Sequence, residues 1–555
     1  MLKKKMFRFA FALIAFSFCR TLEARQSAYP PSLQVRIDSA LRMDLSEGSP
    51  GLAMGIVESG KIRYEKYAGL ANLADSLPID VNTRFNIASN GKQFTALAVL
   101  LLCHEKKISL DTDFRNYLPG MLSNIPQRIS ILHLLTHQSG IRDFYELLSL
   151  QGITWWKRTM NNFDILKMLQ QLRDLNFLPG TQYMYSNSNY VLLAELVQVW
   201  SGKSFSDYTG EMFRRLGMNQ TSFEADFTKI PGRIARPYFN FSSWSSYDWI
   251  WNGVGDGNIF STLPDQLRWE QIVQTGKCTG FPSKLIRQTQ QLFANANLNN
   301  YGAGVEYMVR QGQTILFHNG ATGAWKAAFV RIPSIKWSVV VLTNSGRTVP
   351  WLQANLVADM VFARSADAQP TVEIDAEAPV LPLADLTGIY TNGQNFYFQI
   401  LAKDEKMVLR RSGRNDVELK REGGNLFSQT TDPDFKQYFQ KNTDGLLSVT
   451  ASHPSHAPYT LWYVPALKAD SIRQLPIGRF TNLETQVQIE TIRENGLYQL
   501  ILNNDSIPAI ALTGNRLLTS SFLITVTTDS TGNPILLYDG ERVKRLSFVG
   551  IRQNP

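Results

Sequence analysis

Ser89 is the only serine in the chain with a lysine three residues later, in Ser89-Asn90-Gly91-Lys92. Ile87-Ala88 precede it and the apolar run Phe94–Cys103 follows, which predicts a helix with Ser89 at its N-terminus. There, backbone N–H groups and the helix dipole favour negative charge. Residues i and i+3 share a helix face, so Lys92 can reach the serine hydroxyl. A lysine held among apolar residues loses basicity and can take a proton near neutral pH, which would make Ser89 a nucleophile.

Other hydrolytic signatures are missing from the sequence. There is no Gly-x-Ser-x-Gly, no His-Glu-x-x-His and no Gly-x-x-x-x-Gly-Lys-Ser/Thr. The six histidines are His104, His133, His137, His318, His453 and His456. The pairs His133/His137 and His453/His456 have no acid or cysteine placed to complete a metal site, and read as core or turn histidines. No metal or cofactor is expected.

Two further clusters carry suitable groups. Tyr185-Ser186-Asn187 follows the turn Pro179-Gly180 and precedes a predicted helix, Tyr190–Trp200, stopped by Gly202. A tyrosine beside a lysine can carry a proton, and Asn187 can hold both a lysine and a substrate carbonyl. His318-Asn319-Gly320-Ala321 lies between strand-like Thr314–Phe317 and Gly323. A strand edge at a glycine can approach a substrate backbone and offer N–H groups to an oxyanion. His318 offers a donor or a switchable charge.

The elements around these residues mix helices and strands. Met54–Glu58 and Ile62–Tyr67 predict strands flanking the turn Ser59-Gly60, and Trp337–Leu342 predicts a buried strand. Cys103, after Leu97–Leu102, reads as a buried thiol, and Cys278 lies in a turn-like setting; one bridge between them is compatible with the sequence. The aromatics Tyr238, Phe239, Phe241, Trp244, Tyr247, Trp249 and Trp251 read as a packed loop and cleft rim, with sugar stacking the alternative.

At 555 residues and 44% hydrophobic, the chain has room for two to four domains. Its net charge is +9, but the basic residues are scattered, which argues against a nucleic-acid partner. Their densest cluster, Lys3-Lys4-Lys5, precedes the apolar stretch Phe9–Phe18, and Ala24 follows. Residues 1–24 therefore read as a secretory leader, with a mature protein exported to the periplasm, cell envelope or medium and beginning near Arg25. Phe18 before Cys19 argues against lipid anchoring there, and no later segment is long and apolar enough to span a membrane. Residues 364–382 form a proline-punctuated linker between a domain of mixed helices and strands, 25–363, and an all-β region. In that region Gly388-Ile389-Tyr390-Thr391-Asn392 returns as Gly478-Arg479-Phe480-Thr481-Asn482, and strand patterns recur at the same offset. Two related β units, 383–470 and 471–555, are expected, possible as small barrels.

In this order and spacing the three clusters resemble the penicillin-recognising serine hydrolases: class C β-lactamases, penicillin-binding proteins, D-aminopeptidases and related esterases. The stretch Ile129–Gly140 and the glycine loop Gly255–Thr262 match as well, and the resemblance covers about residues 33–363. It implies an α/β (α+β) domain with an antiparallel sheet flanked by helices plus an all-α subdomain. It further implies Ser89 as the acylated nucleophile, Lys92 as base or tuner, Tyr185 as second proton carrier, Asn187 as substrate-orienting amide, and an oxyanion hole from the N–H groups of Ser89 and Ala321 beside Gly320. His318 stands where β-lactamases proper carry lysine, which leans towards an ester, amide or D-amino-acid substrate. Slow-turnover penicillin binding, β-lactamase activity and a silent glycan-binding scaffold are the alternatives. Oligomeric state is left open.

Overall fold

The computed structural model describes residues 29–550 except 241–242, 294–299, 311, 363–377, 393–396, 404–405, 412–414, 443–444, 454–455, 466–475, 495–496 and 514. The leader with Cys19, linker residues 364–377 and Phe241 lie outside the described residues.

A six-stranded antiparallel sheet is the centre of the first domain. Its order is Glu306–Arg310, Gln313–Thr322, Trp325–Ile332, Trp337–Thr343, Leu52–Glu58, Lys61–Ala68. The last two strands form a hairpin whose turn residues, Ser59 and Gly60, both have positive φ (50° and 74°), the twist a two-residue hairpin requires. Trp337–Thr343 is buried throughout because both faces of the sheet are covered. Val339 and Val341 join a core with the helices Pro31–Arg42 and Pro350–Val361, while Val340 and Leu342 face the larger core on the other side. The side-chain period of a strand sends alternate residues to opposite faces, so a doubly covered strand reads as continuous hydrophobicity.

The second face carries helices. Lys92–Lys106 is buried from Lys92 to Cys103, and Asn187–Ser201 packs against it, ending at Gly202 with φ 70°. The shorter helices Ile131–Leu135, Phe144–Leu150 and Asn162–Leu169 also pack on Asn187–Ser201. Cys103 and Cys278 are both free thiols. Among the described residues no helix is long and apolar enough to cross a membrane.

Beyond the linker the chain forms two closed eight-stranded barrels, Gly388–Val464 and Gly478–Gly550. In each, the first strand pairs with the second and the last, and opens on a glycine with φ 145° (Gly388 and Gly478). Closure leaves no exposed sheet edge.

Candidate active site

Ser89 lies one turn earlier than a simple helix start. Ala88–Gly91 is a 3₁₀ turn, and the α-helix proper opens at Lys92. In a 3₁₀ turn residues i and i+3 eclipse, which brings Lys92 directly beside Ser89. Ala88 has φ +48°, a strained value for a residue with a Cβ. The flanking hydrogen bonds hold it: Ala88 N–H donates to Asn86 Oδ1 at 2.9 Å and Ile87 N–H to the Ile259 carbonyl at 2.9 Å.

Lys92 is fully buried and its ammonium has three acceptors. Nζ donates to Ser89 Oγ at 3.1 Å, to Asn187 Oδ1 at 2.9 Å and to the Asp256 carbonyl at 2.6 Å. Burial disfavours its charge and pulls its pKa down to about 8, against the nearby Asp256 and Asp143 carboxylates, which raise it. The same burial pushes Asp256 up to about 6.

Tyr185 hydrogen-bonds Ser89, and burial raises its pKa well above the usual phenol range; the Ser89 bond and Arg542 act in the opposite direction. Two cations lie near its ring, with Lys92 Nζ at 4.9 Å and the Arg542 guanidinium carbon at 5.0 Å from the centroid. His137 packs against the same ring at 4.3 Å. This histidine, read from sequence as core or turn, is completely buried with φ +56°, and Nδ1 accepts from Ser186 N–H at 3.2 Å, fixing the segment that carries Tyr185 and Asn187.

The strand Gln313–Thr322 closes the opposite side. Its neighbour Glu306–Arg310 pairs only as far as Phe317, so among the described residues His318–Thr322 has a free edge towards the cleft. Gly320 approaches the Ser89 turn so closely that a Cβ would stand 2.2 Å from the Ile87 carbonyl oxygen. Ala321 follows it on the cleft wall. His318 is neither a free donor nor a charge switch. Nδ1–H donates to the Asn319 carbonyl at 2.7 Å, which leaves Nε2 to accept from Tyr301 O–H at 3.0 Å. Burial lowers its pKa to about 3, so it is neutral at physiological pH.

All seven predicted residues are thus near one cleft of about 1420 Å³, six on its walls and Lys92 buried beneath Ser89. Its lining includes Trp249, one of the aromatics expected at the rim, together with Trp155, whereas Trp251 and Tyr238 are buried in the protein. Arg411, Asp432 and His453 of the first barrel form a distal wall, with His453 Nε2 3.3 Å from Asp432 Oδ2.

Sequence reasoning missed Asp143, Glu146 and Arg542. Asp143 caps the helix Phe144–Leu150, and Asp143-x-x-Glu146 is the pattern of an N-cap, but nothing in it signals contact with Asn187. Arg542 comes from the second barrel. The loop between strands Pro534–Asp539 and Leu546–Gly550 is docked beside Asp143. Glu146 accepts the N–H groups of Glu541 (3.1 Å) and Arg542, and the Tyr538 hydroxyl at 3.1 Å. Asn176 Nδ2 donates to the Arg542 carbonyl at 2.9 Å, and Arg142 pairs with Glu484 at 3.0 Å. Burial raises Glu146 to about 7.

A family model described as Beta-lactamase matches residues 33–359. A D-aminopeptidase of Gluconobacter oxydans is 26% identical over 355 residues, covering 62% of this chain and 62% of that protein. A D-aminopeptidase of Brucella canis is 28% identical over 312 residues, covering 53% and 56%. The chain therefore spans about three-fifths of the length of these relatives. Among solved structures, the octameric penicillin-binding protein homologue from Pyrococcus abyssi superposes with a TM-score of 0.55 at 20% identity, covering 78% of this chain and 99% of that one, a likeness of fold.

Proposed function

Because the chain belongs to the β-lactamase family, we propose that it is a serine hydrolase that cleaves an amide, peptide or ester bond through an acyl-enzyme on Ser89. The observation that carries this is the contact of a fully buried Lys92 with Ser89 Oγ at 3.1 Å. In its neutral form Lys92 accepts the serine proton as Oγ attacks the substrate carbonyl carbon. The tetrahedral oxyanion lies between the Ser89 turn and the Gly320-Ala321 edge, whose N–H groups stabilise it. Tyr185 then gives its proton to the departing nitrogen or oxygen, the C–N or C–O bond breaks, and Lys92 returns a proton to Tyr185. Water repeats the attack on the acyl-enzyme and frees Ser89. The lowered pKa of Lys92 and the raised pKa of Tyr185 support this division of labour.

The likeness to D-aminopeptidases favours an amide or D-amino-acid-type substrate. His318, neutral above about pH 3, offers no fixed charge to a β-lactam carboxylate. A panel of p-nitrophenyl esters, D-amino-acid amides and a chromogenic cephalosporin, run with Ser89→Ala alongside, tests the proposal. Amide or ester turnover lost in the variant supports it; no turnover of any class by the wild-type protein refutes it.

A further inference from the structure

The Arg542 guanidinium is aimed at a catalytic group from a domain that otherwise stands apart from the chemistry. Its carbon lies 5.0 Å from the Tyr185 ring centroid, on a side chain 31% exposed and lining the cleft. Its acidic neighbours pair with it only at long range: Asp143 Oδ2 is 4.0 Å away and Glu541 Oε1 3.7 Å. The Asp143 oxygen is already engaged by Asn187 N–H groups at 2.7 and 2.8 Å. The side chain is not what holds the loop in place either. Backbone groups do that, through Glu146 to the Glu541 and Arg542 N–H groups and through Asn176 to the Arg542 carbonyl.

We propose that Arg542 is a positioning residue for Tyr185: a cation carried by the second barrel that holds the ring in place and stabilises the negative charge left on the phenol oxygen when it protonates the leaving group. This rests on the reading of Tyr185 as the proton donor. Its physical basis is that a cation over an aromatic face is attracted to the ring, and more strongly to a ring gaining negative charge. Lys92, holding the serine proton at that stage, flanks the same ring at 4.9 Å. Two cations thus stand within about 5 Å of the ring where the anion forms, and the active site is complete only with the C-terminal barrel docked.

The test compares one acyl group on two leaving groups, an alkyl amide that needs a proton to depart and p-nitrophenolate that does not. Arg542→Met keeps the bulk and the loop's backbone tethers and removes the charge; Arg542→Lys keeps the charge. Arg542→Met should lower kcat on the amide by roughly 3- to 30-fold, the range of a partly exposed cation–ring contact, and on the p-nitrophenyl ester by about twofold or less. Arg542→Lys should recover most of the amide rate. In a Tyr185→Phe background, Arg542→Met should add nothing. Equal losses on both substrates, with Tyr185→Phe impaired on the amide, overturn the role of Arg542 and leave that of Tyr185 intact. An amide rate unchanged in Tyr185→Phe overturns the reading of Tyr185, and this inference with it.

Discussion

Asp143 Oδ2 accepts both the backbone N–H of Asn187, at 2.7 Å, and its side-chain Nδ2, at 2.8 Å. That double contact fixes the amide so that Asn187 Oδ1 faces Lys92 Nζ at 2.9 Å. Meanwhile Asp143 Oδ1 caps the helix Phe144–Leu150 through the N–H groups of Tyr145 and Glu146. One buried carboxylate therefore connects a helix end, the lysine's amide partner and the docked barrel loop.

Asp143→Asn should retain the helix cap but turn an N–H₂ group towards the two Asn187 donors. Asn187 would rotate, and the Lys92 contact would be lost. The expected loss in kcat is roughly tenfold or more, with a stability change of about 1–3 kcal/mol from unsatisfied buried donors. Kinetics and urea unfolding on the same preparation measure both. An unaltered kcat would show that the Asn187 orientation does not matter to turnover.

Ser89→Ala should fall to background, because removing a nucleophile that works as part of a unit costs nearly as much as removing the whole set. Intact mass after fluorophosphonate treatment should rise by one adduct in wild type and not in the variant. Wild-type turnover by Ser89→Ala would end the assignment.

Tyr185→Phe keeps the ring beside its two cations and removes only the transferable proton. A loss of roughly 10²–10⁴-fold on amides is expected for a general acid–base group.

The Lys92 pKa of about 8 sets a direction for pH dependence. Burial disfavours the ammonium, so the neutral base appears at lower pH than in water, though only about a tenth of it is present at pH 7. If neutral Lys92 is required, kcat/KM should climb as pH rises and level off above about pH 8. A profile flat from pH 6 to 9 would exclude Lys92 as the base.

His318→Ala should leave that rising limb where it is, because His318 is neutral at every pH at which the enzyme would be assayed. The variant strands the Tyr301 hydroxyl and should cost about 2- to 10-fold in kcat/KM, the value of one neutral hydrogen bond. A shifted limb would mean that the imidazole does titrate.

The sequence alone determined whatever depends on neighbours a few residues apart. Ser89 and Lys92 could be paired on paper because three residues make one helical turn, and the apolar run after them could only be a buried helix. The hairpin at Ser59-Gly60, the stop at Gly202 and the buried strand expected over Trp337–Leu342, which runs one residue further to Thr343, follow from turn chemistry and hydrophobic period. The repeat beginning at Gly388 and Gly478 likewise marks two β units, and each of those glycines opens a closed barrel. Tertiary structure alone decided the rest, because charge and hydrogen bonding act through space without regard to chain separation. His318 is by residue type a switchable donor, but Tyr301 and the Asn319 carbonyl occupy both ring nitrogens. His137 is buried, as a core residue would be, and only the fold sets it against Tyr185. Arg542, on a barrel that carries no motif, reaches Tyr185 only because Glu146 and Asn176 bind the backbone of its loop, and no local pattern records a contact made across more than 350 positions.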